Sequence, residues 1–565
     1  MEEDKKNYKF YVSSWHCKKN DANCVGVVEK QVAEQPDGSK IEKDVLKLYK
    51  DPIRPFWITK PQFQMTYDHK KEFEDIDKLD LYQCRDSELE DSLARALGLP
   101  ISFRRRDLRM LCSSPYVYGA DIPVETLIKQ KYVHQVPTGK VADYTRGGLD
   151  IESEVRDEKR INIITFISEH RIYTGALREY CKIYSDEEHY TPATEDDCLA
   201  VIRKMLGTYF DQHHFELTFK ICDTELDLIT WIFRQIHHEK TNFVGVWNLG
   251  FDLPKILERI EALGGDAAEI MCHPDVPKEY RFVQWNEDKS KIVQHFTDKW
   301  HWMTIAGYSQ FIDSMCLYSR LRKVSGREPS YSLDDISTKE LGQGKLHFGA
   351  ITNHWYMQNR RFLEYIAYNI NDVMIMQLME WKNNDMRALA GLCGMSPPRD
   401  FARQTTMLRN DAFDYGKEHH HLPASAGSNM FDDFDDMQLK AGGTVLPPNK
   451  AIGVRANVVE ELPDRSTLVS LYANDLDFSS MYPSTVSSMN VSKETALLTA
   501  VKINGYPKEM VEMLFSNIIQ PHLNANYICE TFFGLPTYIE MNKKFEDALI
   551  ENRLKYLDPE KHNDI

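Results

Sequence analysis

Leu149-Asp-Ile-Glu-Ser-Glu-Val155, read as a β-strand, decides how the rest of the chain is organised. Side chains alternate along a strand, so this run points Asp150 and Glu152 to one face. With 86 acidic residues in 565, acidic pairs at that spacing arise by chance on the order of a dozen times, and the pair alone carries little. A carboxylate pair buried against a sheet nevertheless repels itself unless cations or donors compensate, and the next strand, from Ile161, is apolar. The turn residues Pro137-Thr-Gly139 and Gly147-Gly148 mark a boundary, and Ile161 to Ile167 and Arg171 to Thr174 read as further strands, so a sheet begins near residue 149. Downstream, a helix-period stretch from Glu225 to Ile236, an apolar strand from Phe243 to Trp247 and a second helix from Leu253 to Leu263 make the pattern α/β.

The same reading yields further carboxylates. Asp252 sits between the Phe243–Trp247 strand and a helix with Pro254 in its first turn. Such a junction displays active-site residues, although an aspartate there also serves as a plain helix cap. Tyr368 and Asp372 lie four apart in a helical stretch from Phe362 to Ala390 and so face the same way. Arg281 to Thr304 reads as two strands flanking Asn286 to Ser290, a projecting hairpin carrying Trp285, Trp300 and Trp302.

A chain of 565 residues exceeds one hydrophobic core, and 42% hydrophobic content makes it globular. The formal charge of −17 argues against a surface that is basic throughout, so any nucleic-acid surface is local. Eleven scattered cysteines with no pair at two-residue spacing indicate neither a zinc site nor a disulfide framework, which fits a reducing compartment. No 18-residue apolar run occurs, so the expected location is cytoplasmic, the host cytoplasm if the source is viral, with no membrane partner.

Taken in order, Asp150-Ile-Glu152, Asn248-Leu-Gly-Phe-Asp252 and Tyr368-Asn-Ile-Asn-Asp372 resemble the three motifs of the proofreading 3′→5′ exonuclease of family B DNA polymerases. Asp313-Ser-Met-Cys-Leu-Tyr318, Tyr331 to Ile336 and Glu340 to Lys345 resemble intervening segments of the T-even phage branch. Asn248 and Phe251 are separated by two residues where that branch usually has three, a spacing similar to the protein-primed branch. The resemblance implies a ribonuclease H-like fold and a site with two Mg2+ or Mn2+ ions, chosen by hard oxygen ligands. It implies that Asp150 touches both ions, that Glu152 and Asp372 complete the first ion's site, that Asp252 supports the second, and that Tyr368 positions the nucleophile or phosphate. The hairpin would help separate a mismatched primer end.

Asp477-Phe-Ser-Ser-Met-Tyr-Pro-Ser484, followed by Met489 to Thr495, resembles motif A of the polymerase palm, with Met481 at a position usually Leu. By that resemblance Asp477 binds two catalytic magnesium ions, backbone at Ser479, Ser480 and Met481 meets the incoming nucleotide, and Tyr482 excludes ribose. Gly442-Gly443 resembles the glycine pair linking the two modules, with Lys440 where an aromatic residue is usual. Neither the fingers pattern nor the second palm carboxylate pair follows Ser484. The expectation is a multidomain α/β and α+β chain: an N-terminal mixed domain at 1–140, the exonuclease at 141–390, a connector at 391–465, and partial palm and fingers at 466–565. Its expected partners are primer–template DNA, single-stranded 3′ ends, dNTP in the assembled enzyme and a second polymerase polypeptide, with a sliding clamp as a further candidate. The alternatives are a free-standing 3′→5′ exonuclease with a vestigial palm, and a noncatalytic nucleic-acid-binding protein.

Overall fold

The computed structural model describes residues 6–426 apart from 20–21, 36–38, 65–72, 100–107, 138–139, 141, 155–159, 187, 290–294 and 347–353, together with 451–455, 458–462, 530, 534 and 540. Asp477, Ser479, Ser480, Met481, Tyr482 and the Gly442-Gly443 pair lie outside the described residues. The chain divides into two compact units.

The larger unit comprises Met1–Ile53, Arg85–Ser87 and Pro123–Asp411. At its centre is a six-stranded sheet in the order Glu216–Cys222, Arg171–Leu177, Ile161–Ser168, Arg146–Ser153, Phe243–Val246, Gln310–Asp313. Ile161–Ser168 is antiparallel to both neighbours, whereas the other pairings are parallel, so one strand of the six opposes the rest. The Gly147-Gly148 pair, which the sequence suggests as a boundary turn, instead lies inside the Arg146–Ser153 strand. A Cβ at Gly147 would stand 2.0 Å from the Ile167 carbonyl oxygen, so close strand approach, not turning, is what glycine permits there.

Each face of the sheet is covered by helices. Leu149 and Ile151 face a core with Leu228, Ile232 and Ile236 of Glu225–Glu239 and Leu249, Leu253 and Ile256 of Leu249–Ala262. Ile163 and Ile167 face the opposite core, built from Glu195–His213 and Phe362–Asn383. Strand alternation therefore turns Asp150 and Glu152 away from Leu149 and Ile151, toward the Phe362–Asn383 helix. That helix is buried almost all round, as expected for one sandwiched between layers. The helical stretch expected from Phe362 to Ala390 is two helices, divided at Asn384, whose left-handed backbone (φ 55°) separates Phe362–Asn383 from Asp385–Leu392.

Lys6–Lys19, Ala22–Glu34 and Lys40–Lys50 form a three-stranded antiparallel sheet in this unit. Glu125 on the Val124–Val133 helix receives the Arg399 guanidinium and the Ser14 hydroxyl (3.1 Å), satisfying a carboxylate that is otherwise buried. The hairpin expected between Arg281 and Thr304 is present as Val283–Asn286 paired with Trp302–Ile305, but the connection is far longer than the five residues expected. Trp300 and Trp302 are buried, so they serve the core; Trp285 is half-buried and stacks on His301 at 5.5 Å.

The second unit comprises Arg54–Cys84, Glu88–Ile122 and Ala412–Ile565. Its described core gathers Phe56, Ile58, Leu89, Leu93, Leu111 and Val117, and the Arg54 guanidinium donates to the Ala120 and Ile122 carbonyls at 2.7 Å each. All ten cysteines among the described residues are free and buried. Among those residues no helix is long and apolar enough to cross a membrane.

Candidate active site

Three carboxylates, Asp150, Glu152 and Asp372, each bring an oxygen within 4.8 Å of the others. The first two come from the central strand and the third from Phe362–Asn383. Asp372 is 1% exposed, whereas the strand pair keeps a partly open edge. Asp372 Oδ1 is buried without a hydrogen-bond partner among the described residues, an arrangement that leaves it a ligand position.

Asp252 is also buried and close by. Burial first, then the charges of Glu152 and Asp313, push its carboxyl well above the usual carboxylate range. It is not a helix cap, because the helix starts at Leu249 and places Asp252 in the first turn, with Asn248 at the cap position. Pro254 accordingly lies inside the helix, beyond the first turn expected for it. Asp313, which ends the Gln310–Asp313 strand, does cap a helix: its Oδ1 accepts the Cys316 amide at 2.8 Å.

The electrostatics follow from crowding acids in a small volume. Burial, followed by the charges of Asp252, Asp372 and Glu152, holds the Asp150 carboxyl well above its ordinary range. Burial pushes Glu152 up to about 7, against the opposing hydrogen bond from Tyr365. Asp372 is pushed up to about 6 by burial, which outweighs the pull of Lys345. Burial raises Asp313 to about 6 despite the Cys316 amide.

Lys345 is the cation held directly on this cluster, and Lys255 lends a weaker charge to Asp252. The Lys345 Nζ donates to Asp372 Oδ2 at 2.5 Å and to the Tyr368 hydroxyl at 3.1 Å. Burial opposes its charge, yet Asp372, Tyr368 and Asp150 outweigh that cost and raise its proton affinity. Tyr368 is half-buried, and burial with the Asp372 charge pushes its phenol up to about 12, so it carries its proton at neutral pH.

Thus the structure brings Asp150, Glu152, Asp252, Tyr368 and Asp372 together from separate stretches of sequence. Three participants were not singled out from sequence. Lys345 lies on a connection with no periodic signal. Tyr365 donates to Glu152, and the Asn369 amide donates to Asp150 Oδ2 at 2.6 Å. Their signal was spacing: 365, 369 and 372 fall at i, i+4 and i+7 on one helix face.

Two curated proteins are similar to this chain. A DNA-directed DNA polymerase of Escherichia phage RB69 is 26% identical over 258 residues, 44% of this chain and 24% of that protein. A DNA-directed DNA polymerase of Enterobacteria phage T4 is 24% identical over 276 residues, 48% of this chain and 26% of that protein. The match spans about a quarter of each relative's length, so the chain is a partial relative of T-even phage DNA polymerases. No family model matches it.

Proposed function

We propose that this chain is the proofreading and early palm part of a family B, T-even phage-like DNA polymerase, and that its carboxylate cluster is a metal-dependent 3′→5′ exonuclease site. The observation that carries the proposal is the convergence of Asp150, Glu152 and Asp372 within 4.8 Å, with Asp252 buried beside them. Four packed carboxylates opposed by Lys345, with Lys255 acting on Asp252, are a costly arrangement without added positive charge. The all-oxygen donor set and the unpartnered Asp372 Oδ1 fit Mg2+ or Mn2+. The six-stranded sheet, in which Ile161–Ser168, second of its strands in chain order, is the antiparallel one, supports the ribonuclease H-like assignment.

Asp150, Glu152, Asp252 and Asp372 would hold the ions, two per site. Bound divalent ions supply charge stabilisation to the attacking and leaving oxygens of a phosphodiester. The chain's own part is positional. Tyr368, its hydroxyl fixed by Lys345, orients the water or scissile phosphate through a phenol that stays protonated. Lys345 fixes Asp372 and adds positive charge where phosphate arrives. The substrates on this reading are primer–template DNA and single-stranded 3′ ends.

The domain reading proposed with it keeps an N-terminal domain at 1–140, the exonuclease at 141–390, a connector at 391–465 and partial palm and fingers from 466. Asp477 and Tyr482 would act on dNTP once the fingers and second palm carboxylates are supplied by a longer protein or a second polypeptide. Primer extension by the chain alone tests that half, and robust synthesis contradicts it. For the nuclease half, Asp150→Ala combined with Glu152→Ala is expected to abolish degradation of a single-stranded 3′ end. Metal-dependent activity surviving in the purified double variant overturns the assignment.

A further inference from the structure

Tyr368 and Asp372 are not the only polar side chains that Phe362–Asn383 turns toward the carboxylates. Tyr365 is 3% exposed and Asn369 is fully buried, on a helix whose neighbouring positions Ile366, Ala367, Ile370 and Val373 are apolar. A phenol and an amide in such surroundings need partners, because an unpaired buried polar group is unfavourable. Their donors find these on the adjacent strand: the Tyr365 hydroxyl donates to Glu152 Oε2, and the Asn369 amide nitrogen donates to Asp150 Oδ2 at 2.6 Å, while Asn369 Oδ1 is buried without a partner among the described residues. The Tyr365 ring also lies parallel to that of Tyr368, 5.7 Å between centroids and 4° between planes, which restricts both phenols. The helix therefore presents two i, i+4 pairs. One, Tyr368 and Asp372, is held by Lys345; the other, Tyr365 and Asn369, gives one donor to each strand carboxylate.

We propose that Tyr365 and Asn369 are positioning residues that hold Glu152 and Asp150 in the orientations needed for divalent-ion binding. The inference rests on the reading of the cluster as a metal site. An ionised carboxylate has about four lone-pair positions, so an oxygen can accept a fixed donor and leave the other to an ion. Ligating carboxylates are generally hydrogen-bonded in turn, and loss of such a partner typically weakens metal affinity by about 10–100-fold. Hydrogen bonds that served only helix–sheet packing would affect stability and leave metal affinity alone.

The test uses the full chain and Mn2+ as the probe. Tyr365→Phe keeps the ring and its stacking and removes only the donor; Asn369→Ser is the second variant, should the first fold poorly. Free Mn2+ is measured by electron paramagnetic resonance during titration, with the Asp150→Ala, Glu152→Ala double variant as the reference for a destroyed site. The expected result is a Kd for Mn2+ raised about 10–100-fold in either variant, with activity largely recovered at saturating Mn2+. A tyrosine ultraviolet difference signal on Mn2+ addition should also be present in the wild type and smaller in Tyr365→Phe, where Tyr368 alone reports. Unchanged Mn2+ affinity in both variants, with a lower Tm in EDTA, overturns the positioning role and leaves the metal site standing. Wild-type affinity no better than the double variant's overturns the metal reading and this inference with it.

Discussion

Replacing Lys345 by methionine removes the cation facing Asp372 and keeps most of the side-chain volume. Asp372 is 2% exposed at its side chain, its Oδ2 lies 2.5 Å from Lys345 Nζ, and it can relieve the loss by taking up a proton. That escape limits the effect. With the pair intact, burial has raised Asp372 from 3.8 to about 6, so folding already loses stability as pH rises from 3.8 to about 6. Without Lys345 the folded-state value moves higher still, and the loss continues to higher pH at about 1.4 kcal/mol per pH unit. In metal-free protein the variant should therefore match the wild type below about pH 6 and fall increasingly short above it, by at most about 1.4 kcal/mol per pH unit. The assay is urea unfolding in EDTA at pH 5.5, 7 and 8, following the transition of the larger unit. A deficit independent of pH would mean that Lys345 contributes packing only, and no deficit at pH 8 would refute the ion pair.

Three further outcomes are expected. Adding Mn2+ at 100 times its Kd should stabilise the wild type by about 2.7 kcal/mol at neutral pH, seen as a rise in Tm absent from the Asp150→Ala, Glu152→Ala variant. Gly147→Ala should lower stability by about 3 kcal/mol, because its Cβ would meet backbone, the Ile167 carbonyl oxygen at 2.0 Å; wild-type Tm in that variant contradicts the strand register. Lys129, buried with its Nζ on the Ser396 carbonyl at 2.7 Å, has its proton affinity lowered to about 8 by burial. Lys129→Met should therefore stabilise at pH 7 by about 1–2 kcal/mol, and that advantage should shrink as pH rises from about 8 toward 10.5, where the wild type no longer pays to hold a charge.

Much of the larger unit was legible because its strands and helices bury continuous apolar faces, and periodicity reports burial directly. Ile161–Ser168 and Glu225–Glu239 show this, since each keeps its expected start. Misreadings arose where tertiary contact overrides local preference. Gly147-Gly148 reads as a turn until the neighbouring strand is in place. Pro254 suggests a helix start, yet the buried stripe Leu249, Leu253, Ile256 and Ile260 begins the helix earlier. Within the site, strand and helix spacing gives only the facing of Asp150 with Glu152 and of Tyr368 with Asp372, and the three carboxylates were legible as one set through the order of their motifs, which resembles the family's. Lys345 was not, because it reaches a helix 27 residues away from a connection without periodicity. Tyr365 and Asn369 were masked by the apolar sequence of their helix, which marks it as core, and only their i, i+4 and i+7 spacing to Asp372 signals that they share its face.

The central claim is that this acidic cluster removes nucleotides from 3′ ends. Its most direct measurement is digestion, in Mg2+, of one single-stranded oligonucleotide labelled at either end, by the wild type and by the Asp150→Ala, Glu152→Ala variant. The account predicts that the 5′ label yields a descending ladder, that the 3′ label appears at once as mononucleotide, and that both disappear in EDTA and in the double variant. Internal cuts without a ladder, loss from the 5′ end, or equal digestion by the double variant would contradict it.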